Sequence, residues 1–132
     1  MNILPGHISE LNEEGKLTIA KVRVRDSEFT SIVINEGNNE DYLAVDHPIN
    51  VMFKETEVII GVGENLQISL RNQLPGTITK IDQSDLLCKL TMDTTAGVIK
   101  SMITRNAVES LRLQVGKKVV AMIKTNEILL SK

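Results

Sequence analysis

The segment Asn72-Gln73-Leu74-Pro75-Gly76-Thr77-Ile78 (residues 72–78) resembles the segment Asn2-Ile3-Leu4-Pro5-Gly6-His7-Ile8 (residues 2–8), which lies 70 positions earlier. The same offset aligns both halves of the 132-residue chain without a gap, and 12 of the first 60 positions are identical to their partners. Ordinary composition gives about three or four such identities by chance. The apolar residues also keep their phase along the alignment. The sequence therefore indicates a duplicated unit.

Each half has the pattern of short β-strands. Cys88, Leu90 and Met92 alternate with more polar residues, as in a strand with one buried face. Turn-forming residues, such as Thr95-Ala96-Gly97, separate the runs. The predicted strands are 6–12, 17–25, 28–34, 49–54 and 57–62, together with the same positions 70 residues later.

One short helix is predicted between the third and fourth strands of each half. In the second half Asn106 is the predicted N-cap, with Glu109 three residues later as in a capping box. The first half offers Asn38-Asn39-Glu40-Asp41 at the equivalent place, with little apolar face. This order predicts an all-β protein of two tandem five-stranded OB-like barrels, residues 1–64 and 65–132. Because a barrel of about 65 residues is marginal alone, we expect strand exchange or oligomerisation.

Composition excludes several classes of function. A formal net charge of -2 and a pI of about 5.7 give no basic field for nucleic acid, and only three residues are aromatic. Cys88 is the single cysteine, predicted to be a buried apolar thiol. With no secretory signal and no bilayer-length apolar run, the chain is predicted to be cytoplasmic, without membrane insertion. His7 and His47 do not correspond across the repeat, and no catalytic grouping or direct metal ligand is predicted.

The segment Ile68–Gly76 contains the most distinctive cluster of polar side chains. Ser69, Arg71 and Asn72 place a hydroxyl, a guanidinium and an amide within four residues. Together with backbone N–H groups, these side chains donate hydrogen bonds without needing to lose a proton. The cluster is therefore suited to a small oxyanion.

The chain resembles the molbindin (Mop) family, within the wider TOBE-domain group, in its two-unit form. The family's opening pattern Ser-x-Arg-Asn-x-Leu-x-Gly is matched by residues 69–76, and its later Ile-Thr, Leu-x-Leu and Gly-Lys elements by residues 103–117. The closing Lys-Thr-x-acidic element is matched by residues 124–127, and residues 53–58 resemble the same closing element in the first half.

The resemblance implies binding of molybdate, and possibly tungstate, between barrels or between subunits of a homo-oligomer, with a trimer favoured and no organic cofactor. The roles implied are storage, buffering or homeostasis. Met1 aligns with Arg71 and Ala107 stands where the family often has Ser, so we expect fewer anions than in a member with two intact motifs. The residues implied for the oxyanion site are Ser69, Leu70, Arg71, Asn72, Lys124, Lys54 and Thr104.

Structural roles compete with each of these assignments. Lys54 and Lys124 could be solvated edge residues, Ser69 a backbone cap, and Arg71 part of an ion pair. Asn72 could shape the turn before Pro75. Three other functions also compete: a ligand-sensing regulatory module acting with a separate transporter or regulator, an OB-type nucleic-acid-binding module, and a purely structural assembly module.

Overall fold

The computed structural model describes residues 1–34 and 43–132, and these contain ten β-strands and one α-helix. The strands are β1 (Asn2–Glu14), β2 (Leu17–Val24), β3 (Ser27–Ile34), β4 (Pro48–Phe53), β5 (Ile59–Gly61), β6 (Asn72–Gln83), β7 (Leu87–Thr94), β8 (Gly97–Thr104), β9 (Lys118–Ile123) and β10 (Leu129–Ser131). The helix, α1 (Arg105–Ser110), lies between β8 and β9, and 3-10 turns occupy Glu55–Glu57 and Thr125–Glu127.

The predicted fold class is confirmed, with two corrections at the strand ends. The chain is nearly all β, and its two curled five-stranded sheets repeat each other at the 70-residue offset. The first strand of each half begins at its Asn, four residues before the predicted start. The fifth predicted strand begins too early, because Glu57 and Glu127 belong to the 3-10 turns.

The halves exchange their last strands. One sheet has the order β10-β4-β1-β2-β3 and the other β5-β9-β6-β7-β8. Ile59 therefore pairs with Met122, and Leu129 pairs with Met52, so each half completes the sheet of the other. This is the expected strand exchange, formed within one chain. The division at residue 64/65 stays a prediction about the repeat units, since neither sheet is confined to one of them.

The repeated Pro-Gly step lies where two strands approach most closely. A Cβ atom on Gly76 would be 2.7 Å from the carbonyl oxygen of Asp93, and one on Gly6 would be 2.4 Å from that of Arg23. Any larger side chain would force the backbones apart. Two residues further on, each strand contains a β-bulge, between Ile8 and Glu10 and between Ile78 and Lys80. Bulges bend strands and help each sheet to curl.

One continuous core joins the halves, but they fill it with different side chains. In the first half Val22 pairs with Phe29, whereas the equivalent pair in the second half is Met92 and Ile99. All four are fully buried. Phe29 also contacts Phe53, with ring centroids 6.0 Å apart. The first half thus combines a small side chain with a large one, and the second half combines two of intermediate size. The total volume of each pair is similar, so both halves can be densely packed.

The helix begins differently from the prediction. Thr104, not Asn106, is the N-cap residue, and its hydroxyl accepts a hydrogen bond from the Ala107 N–H at 3.1 Å. Asn106 lies inside the first turn. Glu109 forms an ion pair with Arg105 at 3.2 Å, so the predicted capping box is wrong. The candidate helix at residues 38–41 lies outside the described residues.

Two further features bear on the sequence predictions. Cys88 is completely buried in the apolar core, as expected. Among residues 1–34 and 43–132, no helix has both the length and the apolar character needed to cross a membrane.

Candidate functional site

The predicted oxyanion segment lies in the connection between β5 and β6. Ser69 and Arg71 are exposed and Leu70 is partly buried. The Leu70 carbonyl accepts a hydrogen bond from Gln73 Nε2 at 2.9 Å, which orients the end of the segment. The Arg71 guanidinium makes no ion pair or hydrogen bond within the described ranges. The competing structural role, an ion pair between barrels, is therefore not formed in the chain as described.

Strand pairing brings Arg71 next to Lys124. Asn72 on β6 is paired with Ile123 on β9, and Arg71 and Lys124 are the next residue beyond each strand end. Lys124 is exposed and forms no ion pair or side-chain hydrogen bond among the described residues, although its charge acts on the nearby Glu127 carboxyl. Two adjacent cations that form no ion pair attract anions. The sequence motif and the closing Lys element thus meet at one edge of the second sheet.

Lys54 occupies the equivalent position in the first half. It follows β4, whose Phe53 pairs with Asn2, so its neighbour across the strands is Met1 instead of an arginine. Its side chain is exposed, and its backbone N–H donates to Glu57 Oε1 at 3.0 Å. The first half therefore presents one side-chain cation where the second half presents two.

The Asn72 side chain forms hydrogen bonds that join the two halves. It is 1% exposed, its Nδ2 donates to the Thr30 carbonyl at 2.9 Å, and its Oδ1 accepts from the Thr30 N–H at 2.7 Å. Asn2 makes the same pair of bonds with Lys100, both at 2.9 Å. The side chain bonds to the opposite half and not to the turn before Pro75. Ligand contact by Asn72 remains a prediction.

Two serines that the sequence analysis did not assign complete this junction. Ser31 Oγ donates to the Ile128 carbonyl at 3.1 Å, and Ser101 Oγ donates to the Val58 carbonyl at 3.0 Å. Both serines are fully buried. The sequence signal that could have identified them is that both repeats have a serine at this position, on a strand face that is otherwise apolar. Together with Asn2 and Asn72 they satisfy the backbone groups where one half meets the other.

Thr104 lies apart from the other predicted site residues. It pairs with Leu87 at the end of β8, while Arg71 precedes the start of the 12-residue strand β6. Gln83, at the far end of that strand, pairs with Cys88 beside Leu87. Within one chain, Thr104 and Arg71 are thus at opposite ends of the sheet. Thr104 caps α1, so a shared site would require a second copy.

Acidic side chains lie close to the two lysines. Partial burial raises the pKa of the Glu127 carboxyl above its ordinary value of 4.5, and the charge of Glu57 and a hydrogen bond with Glu57 raise it further. The nearby Lys124 acts in the opposite direction. On the other side, Glu55 is 3.3 Å from the Lys89 ammonium. Glu57 and Glu127 therefore share a hydrogen bond, and Glu55 forms an ion pair with Lys89.

A cleft lies elsewhere on the described surface. It has a volume of about 750 Å³ and is lined in part by Glu64, Asp93 and Lys118. Two carboxylates against one ammonium make it unfavourable for a dianion, and it contains none of the predicted site residues. The described part of the chain holds no group of three or more His, Cys, Asp or Glu side chains arranged to bind a metal ion.

Comparisons with known proteins agree with this architecture. The TOBE domain family matches residues 68–130. The cytoplasmic molybdate-binding protein ModG, in a crystal form with molybdate bound, superimposes with a TM-score of 0.91 at 25% identity, covering 98% of this chain and 94% of that chain. The molybdenum-pterin-binding protein MopB of Rhodobacter capsulatus is 28% identical over 117 residues, 85% of this chain. The chain spans only 43% of the length of MopB.

These matches define first a class of fold: two OB-like units with exchanged strands, of which the second matches the TOBE domain. Within that class, the tandem arrangement is shared with ModG over nearly the whole of both chains. The chain is thus similar to the Mop-type proteins with two units.

Proposed function

We propose that the protein binds molybdate inside the cell, and that it serves to store or buffer this oxyanion. The observation that carries the proposal is the pair of adjacent cations, Arg71 and Lys124, which form no ion pair among the described residues. It is supported by the similarity in fold to ModG, whose structure contains molybdate. Tungstate has the same charge and shape and is expected to bind at the same place.

The chemistry of the segment favours a tetrahedral dianion. Such an ion has four acceptor oxygens, and burying it without hydrogen-bond donors is very costly. Arg71 and Lys124 supply charge-assisted donors, which form roughly twice as strong hydrogen bonds as neutral ones. The Ser69 hydroxyl and the backbone N–H groups of the segment add neutral donors.

We further propose that the site is completed by a second copy of the chain. Ser69, Arg71 and Lys124 are all exposed, so one chain supplies only one wall of a cavity. Lys54 and Thr104, which lie apart from this wall, are then available to the walls of neighbouring sites. A trimer, as the resemblance implies, gives every copy the same set of neighbours.

Titration calorimetry with molybdate, tungstate and sulfate, joined to native mass spectrometry, tests the proposal. We expect saturable heats for molybdate and tungstate, weaker heats for sulfate, and a defined number of anions per assembly. Arg71→Ala removes one charge-assisted donor, so the affinity should fall about 10- to 100-fold. Equal and weak heats for all three anions would contradict the proposal.

A matched control separates the site from general electrostatics. Lys16→Ala also removes one exposed cation, but in the turn between β1 and β2. We expect it to leave the molybdate affinity unchanged. An equal loss in both variants would mean that net charge, and not the Arg71 wall, governs binding.

The described aromatic side chains do not support the nucleic-acid-binding alternative. Binding of single strands depends on exposed aromatic rings that stack on bases. Phe29 and Phe53 are both fully buried, and Tyr42 lies outside the described residues. The regulatory alternative keeps the same anion site, and co-purification of a transporter or regulator with the anion-loaded protein would distinguish it from a store. If neither anion nor nucleic acid binds, the purely structural role remains.

A further inference from the structure

One side-chain hydrogen bond closes the donor-rich segment against the sheet. Gln73 Nε2 donates to the Leu70 carbonyl at 2.9 Å and so spans residues 70–73. Gln73 itself belongs to β6, where it is partly buried and pairs with Met122 of β9. The bond therefore ties the connection between β5 and β6, which has no regular structure of its own at this point, to a regular strand.

The direction of this bond determines where the next backbone donor points. The peptide between Leu70 and Arg71 is trans, so its C=O and its N–H point in opposite directions. Because Gln73 holds the Leu70 carbonyl, the Arg71 N–H points away from the Gln73 amide. No backbone N–H of residues 69–71 donates a hydrogen bond within the described ranges. The Arg71 N–H is thus an unused donor whose direction Gln73 sets.

Gln73 affects the two cations through this peptide and not by direct contact. Its amide donates to Leu70, and its side chain forms no hydrogen bond with Arg71 or Lys124. The two cations follow directly beyond the paired ends of β6 and β9. A group that holds the donor segment from behind fixes the position of the donors, as supporting residues do around any precise binding site.

The first half shows that the sheet does not require this glutamine. Ile3 occupies the place of Gln73, just as Met1 occupies the place of Arg71. Ile3 pairs with Met52 in the same way as Gln73 pairs with its partner on β9. Isoleucine has no amide to donate, and the first half nevertheless forms the same sheet. The glutamine therefore accompanies the arginine-bearing segment and not the fold.

We propose that Gln73 is a positioning residue that sets the selectivity of the anion site for molybdate over sulfate. The inference rests on the proposed function and deepens it. The two ions have equal charge and the same shape, so donors distinguish them by the size of the space that they enclose. Donors held at a fixed opening fit the larger ion and do not close around the smaller one, whereas a loose segment adapts to both.

The substitution Gln73→Met removes the amide and keeps the length of the side chain. Gln83→Met is the matched control, because Gln83 is exposed at the far end of the same strand and its side chain forms no hydrogen bond in the described ranges. Gln73→Ile, which copies the first half, provides a second variant of the same position. Thermal melting establishes that all three proteins are folded.

Amide NMR relaxation without anion tests the positioning separately from binding. We expect the backbone of residues 69–71 to become more mobile in Gln73→Met and Gln73→Ile, because the bond to Leu70 is lost, and to be unchanged in Gln83→Met. Unchanged mobility in both Gln73 variants would overturn the proposal, since the segment would then be held by other contacts.

Titration calorimetry with molybdate, and competition by sulfate, tests the selectivity. Loss of one supporting hydrogen bond should raise the molybdate dissociation constant about 3- to 10-fold. The sulfate dissociation constant should change less than about twofold, so the ratio of the two constants falls. Gln83→Met should leave both constants unchanged. Weakening of both anions by the same factor would overturn the proposal, because Gln73 would then support the site without contributing to selectivity.

Two other results separate this inference from the proposed function. Wild-type protein that binds no molybdate would overturn both together. Wild-type protein that binds molybdate with an affinity that neither Gln73 variant changes would overturn the role of Gln73 alone, and would leave Arg71 and Lys124 as the groups that hold the anion.

Discussion

The two halves of the chain have the same backbone plan and different surfaces. Both contain the Pro-Gly step at a close approach of two strands, a β-bulge and an exchanged final strand. Both also contain a buried asparagine, Asn2 or Asn72, that bonds to the backbone of the other half; we call these two residues the Asn clamps. Only the second half has an arginine, Arg71, beside its closing lysine; the first half has Met1 at that place. Duplication has preserved what the fold needs at both places. Binding determinants, which do not affect folding, were free to differ.

The cores provide the largest test of this comparison. Phe29→Ala should cost about 3–5 kcal/mol of unfolding free energy, because a fully buried ring is lost from the first core. Phe29→Ile combined with Val22→Met reproduces the Met92–Ile99 pair of the second half. We expect this double variant to cost less than about 1.5 kcal/mol, as in other volume-conserving changes.

Denaturant unfolding of both single variants and the double variant measures this coupling. Phe29→Ile alone leaves a cavity and Val22→Met alone overpacks, so each should be less stable than the double variant. Additive losses would show that positions 22 and 29 do not compensate for each other's change in volume.

The Asn clamps should give a smaller and symmetrical effect. Asn72→Ala leaves the partly buried backbone N–H and C=O of Thr30 without these partners, and Asn2→Ala does the same to Lys100. Each unsatisfied group costs about 1–3 kcal/mol, less any contribution from water that enters. We expect equal losses of about 2–3 kcal/mol in the two variants.

Thermal melting and urea unfolding compare the two variants directly. Asn12→Ala is the control, because its amide bonds only to exposed Glu10, and its loss should be close to zero. A large loss in one half alone would mean that the clamps are not equivalent, and that the halves are joined mainly through one of them.

The smallest expected effect is on stability, from the carboxyl groups of Glu57 and Glu127, which occupy equivalent positions in the repeat. Glu57 accepts a hydrogen bond from the Lys54 N–H, whereas Glu127 has a raised pKa. An acid whose pKa is raised in the folded state favours folding while it is protonated and loses this contribution as the pH rises through that pKa. Glu127→Gln should therefore raise stability at neutral pH by less than about 1 kcal/mol, since the group is near the surface.

Urea unfolding at several pH values checks the sign. The stability gain of Glu127→Gln should disappear below pH 4.5, where the carboxyl is already protonated in the unfolded chain. The exposed residue Glu13, near the end of β1, provides the control substitution Glu13→Gln. A gain that is independent of pH would assign the effect to packing instead of ionisation.

Much of the fold was predictable because repetition reinforces local signals. Period-two alternation predicted β2, β3, β7 and β8 to within one or two residues. The errors lie at ends, where tertiary contacts decide. Thr104 was predicted as a site residue although it is a helix cap, and Asn106 was given the cap although it lies in the first turn. The residue that caps the helix is set by where the preceding strand ends, and β8 ends at Thr104.

Within the site, the motif identified Ser69 and Arg71 as donors, and the resemblance implied Lys124 for the same site, but the sequence did not show that Arg71 and Lys124 are neighbours within one sheet. That proximity follows from the antiparallel register of β6 and β9, which joins positions more than 50 residues apart. Asn72 was predicted as a ligand from its neighbours in the motif. Its burial against Thr30 in the other half is a long-range contact that no local pattern encodes.

The sequence by itself determined the duplicated unit, the strands and the donor-rich segment, because alternation, turn residues and side-chain chemistry are properties of neighbouring residues. The tertiary structure alone decided which half completes which sheet and which polar side chains are buried where the halves meet. These depend on how distant segments pack, and packing is selected by the whole core at once.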